Sequence, residues 1–225
     1  MNIKSLPKKI GNKAKANLNN TYQVIDFVTG GTLSLFVQTI IKSHQGYIKE
    51  KFDNLLLDLA NNEINDEELL DFINSQFQSD REFLSNMLIK NFHADNRITI
   101  FILAKLWANK IKNGSLNYYE SSLFTNINTF TYEDFKIYYF AIQHIHPSEK
   151  KLNSMAPFIS IPLEDEHYIF AIDKFCSFGI LQTANTMDGR YDKKDNEIKI
   201  FFIKTPYSDT FYQILDEYFK NTPPS

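Results

Sequence analysis

The stretch from residue 198 to residue 218 reads IKIFFIKTPYSDTFYQILDEY and contains the two patterns that decide the fold of the C-terminal part of the chain. Residues 198–203 are β-branched or aromatic apart from one lysine, which is typical of a strand. Thr205 and Pro206 are residues that commonly begin a helix. Apolar side chains then recur at helical spacing, at Tyr207, Phe211, Ile214, Leu215 and Tyr218. The stretch predicts a strand followed directly by a helix.

The residues before this strand carry a second helix pattern. Pro162 is expected in a first helical turn, and the acidic residues at 164–166 favour that N-terminus. An apolar stripe that ends at Gly179 consists of Ile169, Ile172, Phe175 and Cys176. Ile180-Leu181 begins a strand, and a polar excursion over residues 188–196 separates it from the strand at 198. The order of helix, hairpin and helix predicts a winged-helix-like module over residues 163–225.

The N-terminal half predicts a helical bundle over residues 21–148. A long amphipathic helix after Gly31 has an apolar face formed by Leu33, Val37, Ile40, His44, Ile48, Phe52, Leu55 and Leu59. Asn65 is a predicted N-cap residue, followed by three acidic residues in the first turn. Ser79 and Glu82 have the spacing of a capping box, and Thr131 with Asp134 offers a cap for the later helix through Phe135.

Residues 98–111 are apolar nearly all round at their start, which is typical of a helix surrounded by other helices. We expect this to be the central helix of the bundle, with Leu103, Leu106 and Trp107 buried. Asn113-Gly114 supplies its C-terminal end. The interval between Pro147 and Pro162 lacks sustained periodicity, so we expect a linker over residues 149–162.

The composition favours a mainly helical protein in the cytoplasm. Seven Gly and seven Pro in 225 residues are few for a turn-rich β-sandwich. The single cysteine, Cys176, cannot form an internal disulfide, and the N-terminus lacks a secretory signal. The longest stretch without charge, residues 27–41, is too short and too polar for a transmembrane span, which leaves a buried helix or a peripheral helix at a membrane surface.

The charge is unevenly distributed along the chain, whose net charge is -3. Five of the 24 basic residues precede the first acidic residue, Asp26, which leaves 19 basic against 27 acidic residues in the rest. These five form a basic arm within residues 1–20, namely Lys4, Lys8, Lys9, Lys13 and Lys15. The arm is either a solvated, flexible terminus or a contact for phosphate or anionic lipid. In the C-terminal module, the candidate contacts for nucleic acid or lipid are Arg190, Lys193 and Lys194.

The motifs that would carry enzyme chemistry are missing from the sequence. There is no phosphate loop, dinucleotide glycine fingerprint, Gly-x-Ser-x-Gly or His-Glu-x-x-His. His144, His146 and Glu149 are the nearest approach to a metal-ligand cluster, but two histidines two residues apart diverge on a helix. Cys176 lies on a predicted buried face without the cationic surroundings that activate a thiolate. We therefore expect no catalytic residue, cofactor or metal, and an unrecognised group of acids is the one enzymatic alternative.

Three motifs within residues 97–215 resemble the abortive infection alpha family. The first motif has two segments, Leu106-Trp107-Ala108-Asn109 and the later residues 130–134, FTYED. The second is residues 178–181, FGIL, and the third is residues 205–211, TPYSDTF. The chain has Ser208 where the family pattern prefers glycine. The resemblance implies a bacterial protein of phage defence or of a mobile element, and it supplies no catalytic residue.

Three functions remain open after these observations. The first is a non-enzymatic defence protein that acts by binding a protein partner or by self-association. The second is a winged-helix DNA-binding regulator, in which the helix before the hairpin would enter the major groove. From Leu163 onward the chain has eleven acidic and seven basic residues, and that helix contributes only Lys174, which disfavours DNA. The third is an immunity or inhibitor protein that binds one specific antagonist.

Overall fold

The computed structural model describes residues 32–146, 157–184, 191–194 and 196–221. Most of these residues are helical, and a small antiparallel sheet lies near the C-terminus, which confirms the predicted fold class at that level. The basic arm of residues 1–20 and Gly30-Gly31 lie outside the described residues, as do the side chains of residues 32–45. No helix in the described part of the chain combines the length and the apolar character that a bilayer crossing needs.

The helices and strands are numbered in chain order. The helices are α1 (Thr32–Asn61), α2 (Asp66–Ile73), α3 (Gln78–His93), α4 (Arg97–Asn113), α5 (Tyr118–Asn126), α6 (Tyr132–Gln143), α7 (His167–Ser177) and α8 (Ser208–Asn221). The strands are β1 (Phe158–Pro162), β2 (Leu181–Thr183), β3 (Tyr191–Lys194) and β4 (Glu197–Lys204). Short 3-10 turns cover Ile127–Thr129 and Leu163–Asp165.

The chain forms two compact units, and their boundary differs from the predicted linker at 149–162. Among the described residues, the first unit comprises residues 32–94 and 103–115, and the second comprises residues 95–102 and those from 116 onward. Helix α6, which the sequence assigned to the N-terminal bundle, packs on α7 and α8 and belongs to the second unit. The physical reason is that large aromatic side chains of α6 are buried against the C-terminal elements, as described below.

In the first unit, α3 packs against both α1 and α2. Leu55, Leu59, Leu84 and Met87 are almost fully buried, as the helical spacing predicted for the two leucines of α1. The expected burial of the α4 side chains is confirmed, since Leu103 and Leu106 are 0 % exposed and Trp107 is 1 % exposed. The ion pair between Lys110 Nζ and Asp80 Oδ1, at 2.9 Å, joins the end of α4 to the start of α3.

The helix ends confirm most of the predicted caps and correct one. Asn65 and Glu68 form a reciprocal capping box at α2, and Thr131 and Asp134 form another at α6. The capping box predicted from Ser79 and Glu82 is wrong, because α3 begins two residues earlier than a Ser79 N-cap requires, and its N-cap residue, Phe77, makes no side-chain cap. The side chain of Gln78 instead donates to Glu82 Oε1 at 2.7 Å, and Ser75 Oγ accepts the Phe77 N–H at 3.2 Å.

The sheet of the second unit is built around β4. Strand β1 pairs antiparallel with β4 from Phe158↔Phe201 to Pro162↔Glu197. Strand β2 pairs with the other edge of β4, at residues 202–204. Strand β3 pairs with residues 197–200. Because β1 already occupies one edge at those residues, β3 must lie on the same edge as β2.

Two strands lie where the sequence predicted irregular chain. Strand β1 occupies part of the predicted linker 149–162, and β3 occupies part of the polar excursion 188–196. Prolines at 157 and 162 suggested a break, but a proline at a strand end removes no ladder hydrogen bond that the sheet needs. Pro162 therefore ends β1 instead of beginning a helix, and α7 starts at His167 after the intervening 3-10 turn.

The core of the second unit is aromatic. Phe175 of α7 lies 4.6 Å from Phe130 and 4.7 Å from Tyr138, measured between ring centroids. Phe211 of α8 lies 5.0 Å from Tyr138 and 6.3 Å from Phe135. The Tyr138 hydroxyl donates to the Ser208 carbonyl oxygen at 2.9 Å, so this buried phenol keeps a partner. These contacts hold α6, α7 and α8 together.

Candidate recognition surface on helix α7

Helix α7 has an inward face that fixes its orientation in the second unit. Ala171, Ile172 and Phe175 are buried, while Ile169 and Cys176, also predicted to face inward, are half-buried. Gly179 has a φ of +76°, a left-handed conformation that favours glycine and that ends the helix where the sequence predicted. The opposite face of α7 must therefore point away from this core.

An ion pair fastens α7 to α6. Lys174 Nζ lies 2.6 Å from Asp134 Oδ2 and donates to the Thr129 carbonyl oxygen at 3.2 Å. The same carboxylate oxygen accepts the Thr131 N–H at 2.8 Å, so Asp134 serves the helix cap and the ion pair together. Lys174, the one lysine of α7, is thus engaged within the fold.

Replacing Lys174 with methionine should lower the free energy of unfolding by about 1–2 kcal/mol. The change leaves the carboxylate of Asp134, a residue only 8 % exposed, without its cation. The expected loss of stability lies between the values for breaking a surface ion pair and a buried one. Urea denaturation followed by circular dichroism measures the difference. Lys136→Met is the matched control because its ion pair with Glu133 is about half exposed, and it should cost under about 0.5 kcal/mol. Equal losses for the two variants would contradict this role of Lys174.

The outward face of α7 presents a large apolar side chain to solvent. Phe170 is 73 % exposed, and Leu163, in the turn that precedes the helix, is 39 % exposed. His167, one turn before Phe170, is also exposed. Most of the phenyl ring makes no contact with the described residues, so it contributes little to their packing. We call the surface formed by Leu163, His167 and Phe170 the α7 outward face.

The charge at the start of helix α7 is negative. Glu164 and Asp165 make no ion pair with any described residue, whereas Glu166 pairs with Lys193 of β3. Burial raises the pKa of the Tyr168 hydroxyl, and the negative charges of Asp165 and Glu133 raise it further. These carboxylates therefore create a negative potential at the start of α7. The positive end of the helix dipole, about half a unit charge, only partly offsets them.

The predicted contact residues do not form a basic surface in the described part of the chain. The arm residues Lys4, Lys8, Lys9, Lys13 and Lys15 lie outside it, and so does Arg190. Lys194 lies in β3, but its side chain is not described. Lys193 forms an ion pair with Glu166, which compensates its positive charge.

The histidines do not assemble a metal site within the described residues. His144 is the C-cap residue of α6, and its Nδ1 lies 2.9 Å from the Phe140 carbonyl oxygen, as expected for a histidine at a helix C-terminus. His146 forms a backbone bridge with Phe158, and Glu149 lies outside the described part. The described ranges hold no cluster of three or more His, Cys, Asp or Glu that could bind a metal ion.

Phe170 is the candidate functional residue that the sequence analysis missed. The apolar stripe of α7 directed attention to Ile169, Ile172 and Phe175, which occupy one side of the helix. Successive residues are about 100° apart on a helix, so Phe170 lies on the side opposite Ile172. An aromatic residue facing away from the apolar stripe was the available signal.

No family model, no curated protein and no solved structure matches this chain. The resemblance to the abortive infection alpha family thus stays a prediction, and the surface of the second unit is the main basis for a functional proposal.

Proposed function

We propose that this chain is a non-enzymatic binding protein, whose second unit acts as a winged-helix-like module that recognises protein through the α7 outward face. The observation that carries the proposal is the exposure of Phe170 on that face. Aromatic side chains, phenylalanine included, are enriched in protein interfaces relative to the rest of the protein surface.

The arrangement of elements supports the winged-helix-like interpretation. A helix, α7, precedes a three-stranded return through β2, β3 and β4, and α8 closes the unit. Strand β1 comes before α7 and pairs with β4, so strands of one sheet both precede and follow the helix along the chain. In proteins of this kind, the helix before the hairpin is the recognition element.

The charge of the module favours protein over DNA as the partner. A DNA-reading helix needs a cluster of basic side chains to neutralise phosphates, because that term supplies most non-specific affinity. Here Lys174 and Lys193 are both held by carboxylates of the same unit, and Glu164 and Asp165 add negative charge. The DNA-binding regulator is the second candidate, favoured only by the order of helix and hairpin.

A role in phage defence is supported by the resemblance described above. If it is correct, expression of the chain in a bacterial host should reduce the plaque count of at least one phage in a broad panel. Phe170→Ser should abolish that protection, because it removes the apolar contact while leaving the fold intact. Phe77→Ser is the matched control: Phe77 is 74 % exposed and belongs to the first unit, so protection should persist.

Two results would contradict parts of this proposal. Full protection by a folded Phe170→Ser variant would remove the α7 outward face from the mechanism. Neutralisation of one specific toxin, without any effect on phage, would replace the defence role with that of an immunity protein.

A further inference from the structure

Strands β2 and β3 follow one another along the same edge of β4. Strand β2 ends on the pair Thr183↔Phe202. Strand β3 begins on the pair Tyr191↔Ile200 and runs antiparallel to β4, as β2 does. One residue of β4, Phe201, lies between these two pairs. An uninterrupted edge strand would place one residue opposite it, whereas the chain has seven residues between Thr183 and Tyr191.

The residue that fills the position opposite Phe201 is Ala184. It is 1 % exposed and forms one buried cluster with Phe201 and Phe158. Phe158 of β1 pairs with Phe201 from the other edge of β4. Because side chains directly opposite each other in a sheet lie on the same face, the cluster is the row that three neighbouring strands form at one register. The edge strand therefore extends to Ala184, and the chain exceeds it by the six residues 185–190.

The two parts of this edge keep the register of a single strand. Joining Ala184 directly to Tyr191 would continue the pairing with Phe202, Phe201 and Ile200 without a gap. The alternation of faces is kept as well, because a pleated strand changes face at each residue and no residue is missing or left over. Strands β2 and β3 are thus aligned as one strand would be, although the chain between them is longer.

We infer that β2 and β3 are the two halves of one strand, and that residues 185–190 are an insertion that the sheet does not need. The completed strand forms a hairpin with β4 through the two-residue turn at 195–196, where Asn196 has a φ of +66°, a conformation common in such turns. The strand halves on both sides of the insertion are held by β4, so its length and sequence escape the register constraint that the strand obeys. The second unit therefore separates a fixed scaffold from a segment that can change without loss of the fold.

Two deletions in the full chain test this inference by thermal unfolding, followed by circular dichroism. Deleting residues 185–190 joins Ala184 to Tyr191 and keeps the register, so the unfolding midpoint should stay within about 3 °C of the wild type's. Deleting one residue more, residues 184–190, is the matched control. It slips one half of the strand by a residue and turns side chains such as Leu181, which is 1 % exposed, away from the core. The midpoint of this control should fall by about 5–10 °C.

A third variant separates the length of the segment from its sequence. Replacing residues 185–190 with a twelve-residue Gly/Ser segment should lower the midpoint by under about 4 °C, because doubling a loop adds little closure entropy. A larger drop, or failure of the 185–190 deletion to fold, would show that the sheet needs these six residues. Equal midpoints for the two deletions would show that Ala184 does not fix the register. Any of these results would overturn the inference.

Discussion

Replacing Phe175 with alanine should lower the free energy of unfolding of the second unit by about 3–5 kcal/mol. Phe175 is 0 % exposed, and its ring contacts Phe130 and Tyr138 at centroid distances under 5 Å. Truncation removes the buried ring and leaves a cavity that a shell of rigid aromatic rings fills poorly. Urea denaturation followed by near-ultraviolet circular dichroism measures the loss of packing.

The control for Phe175 lies on the same helix. Phe170→Ala changes the same residue type on the exposed side of α7, and it should change the free energy of unfolding by under about 0.5 kcal/mol. A cost below about 1 kcal/mol for Phe175→Ala, or similar costs at both positions, would show that α7 does not pack with its observed inward face.

Replacing Trp107 with alanine should cost about 3–5 kcal/mol in the first unit. Trp107 is 1 % exposed in a helix whose neighbouring side chains, Leu103 and Leu106, are fully buried. Its indole Nε1 has no hydrogen-bond partner among the described residues, and an unpaired buried N–H is unfavourable. Trp107→Phe keeps much of the apolar ring and removes the unpaired donor, so it should cost less than the alanine variant.

The readout for Trp107 must not depend on its own fluorescence, because the chain has one tryptophan. Far-ultraviolet circular dichroism in urea serves both variants. A loss under about 1 kcal/mol for Trp107→Ala would contradict burial of this part of α4. A loss for Trp107→Phe as large as the loss for Trp107→Ala would contradict the expectation that the retained apolar ring preserves packing.

The sequence predicted the elements whose apolar residues repeat with a clear period. Tyr207, Phe211, Ile214, Leu215 and Tyr218 all lie buried on or just before α8, as their spacing indicated. Asn65 and Thr131 act as the caps that their side chains suggested. These features depend on interactions within a few residues, which local sequence determines.

The features that the sequence did not predict depend on distant partners. Strand β1 is five residues long, and only its pairing with β4 distinguishes it from a loop. The membership of α6 in the second unit depends on contacts between Tyr138 and the side chains of Phe175 and Phe211, which follow it by many residues. Predicting the exposure of Phe170 likewise requires the orientation of α7, which is fixed by the contacts of Phe175 and Lys174.

The claim that the α7 outward face recognises protein and not DNA can be tested most directly by titrating a labelled DNA duplex with the full chain at about 150 mM salt. Dedicated DNA-binding proteins reach about 10⁻⁸ M or tighter under such conditions. We expect binding weaker than about 10⁻⁶ M, because the exposed charge at the start of α7 is negative and Lys174 and Lys193 are paired within the unit. Any residual affinity should disappear when Lys4, Lys8, Lys9, Lys13 and Lys15 are replaced with glutamine. The account would be contradicted by tighter binding that weakens steeply with salt and persists without those five lysines. In that case, replacing Arg190, Lys193 and Lys194 with glutamine should abolish the binding.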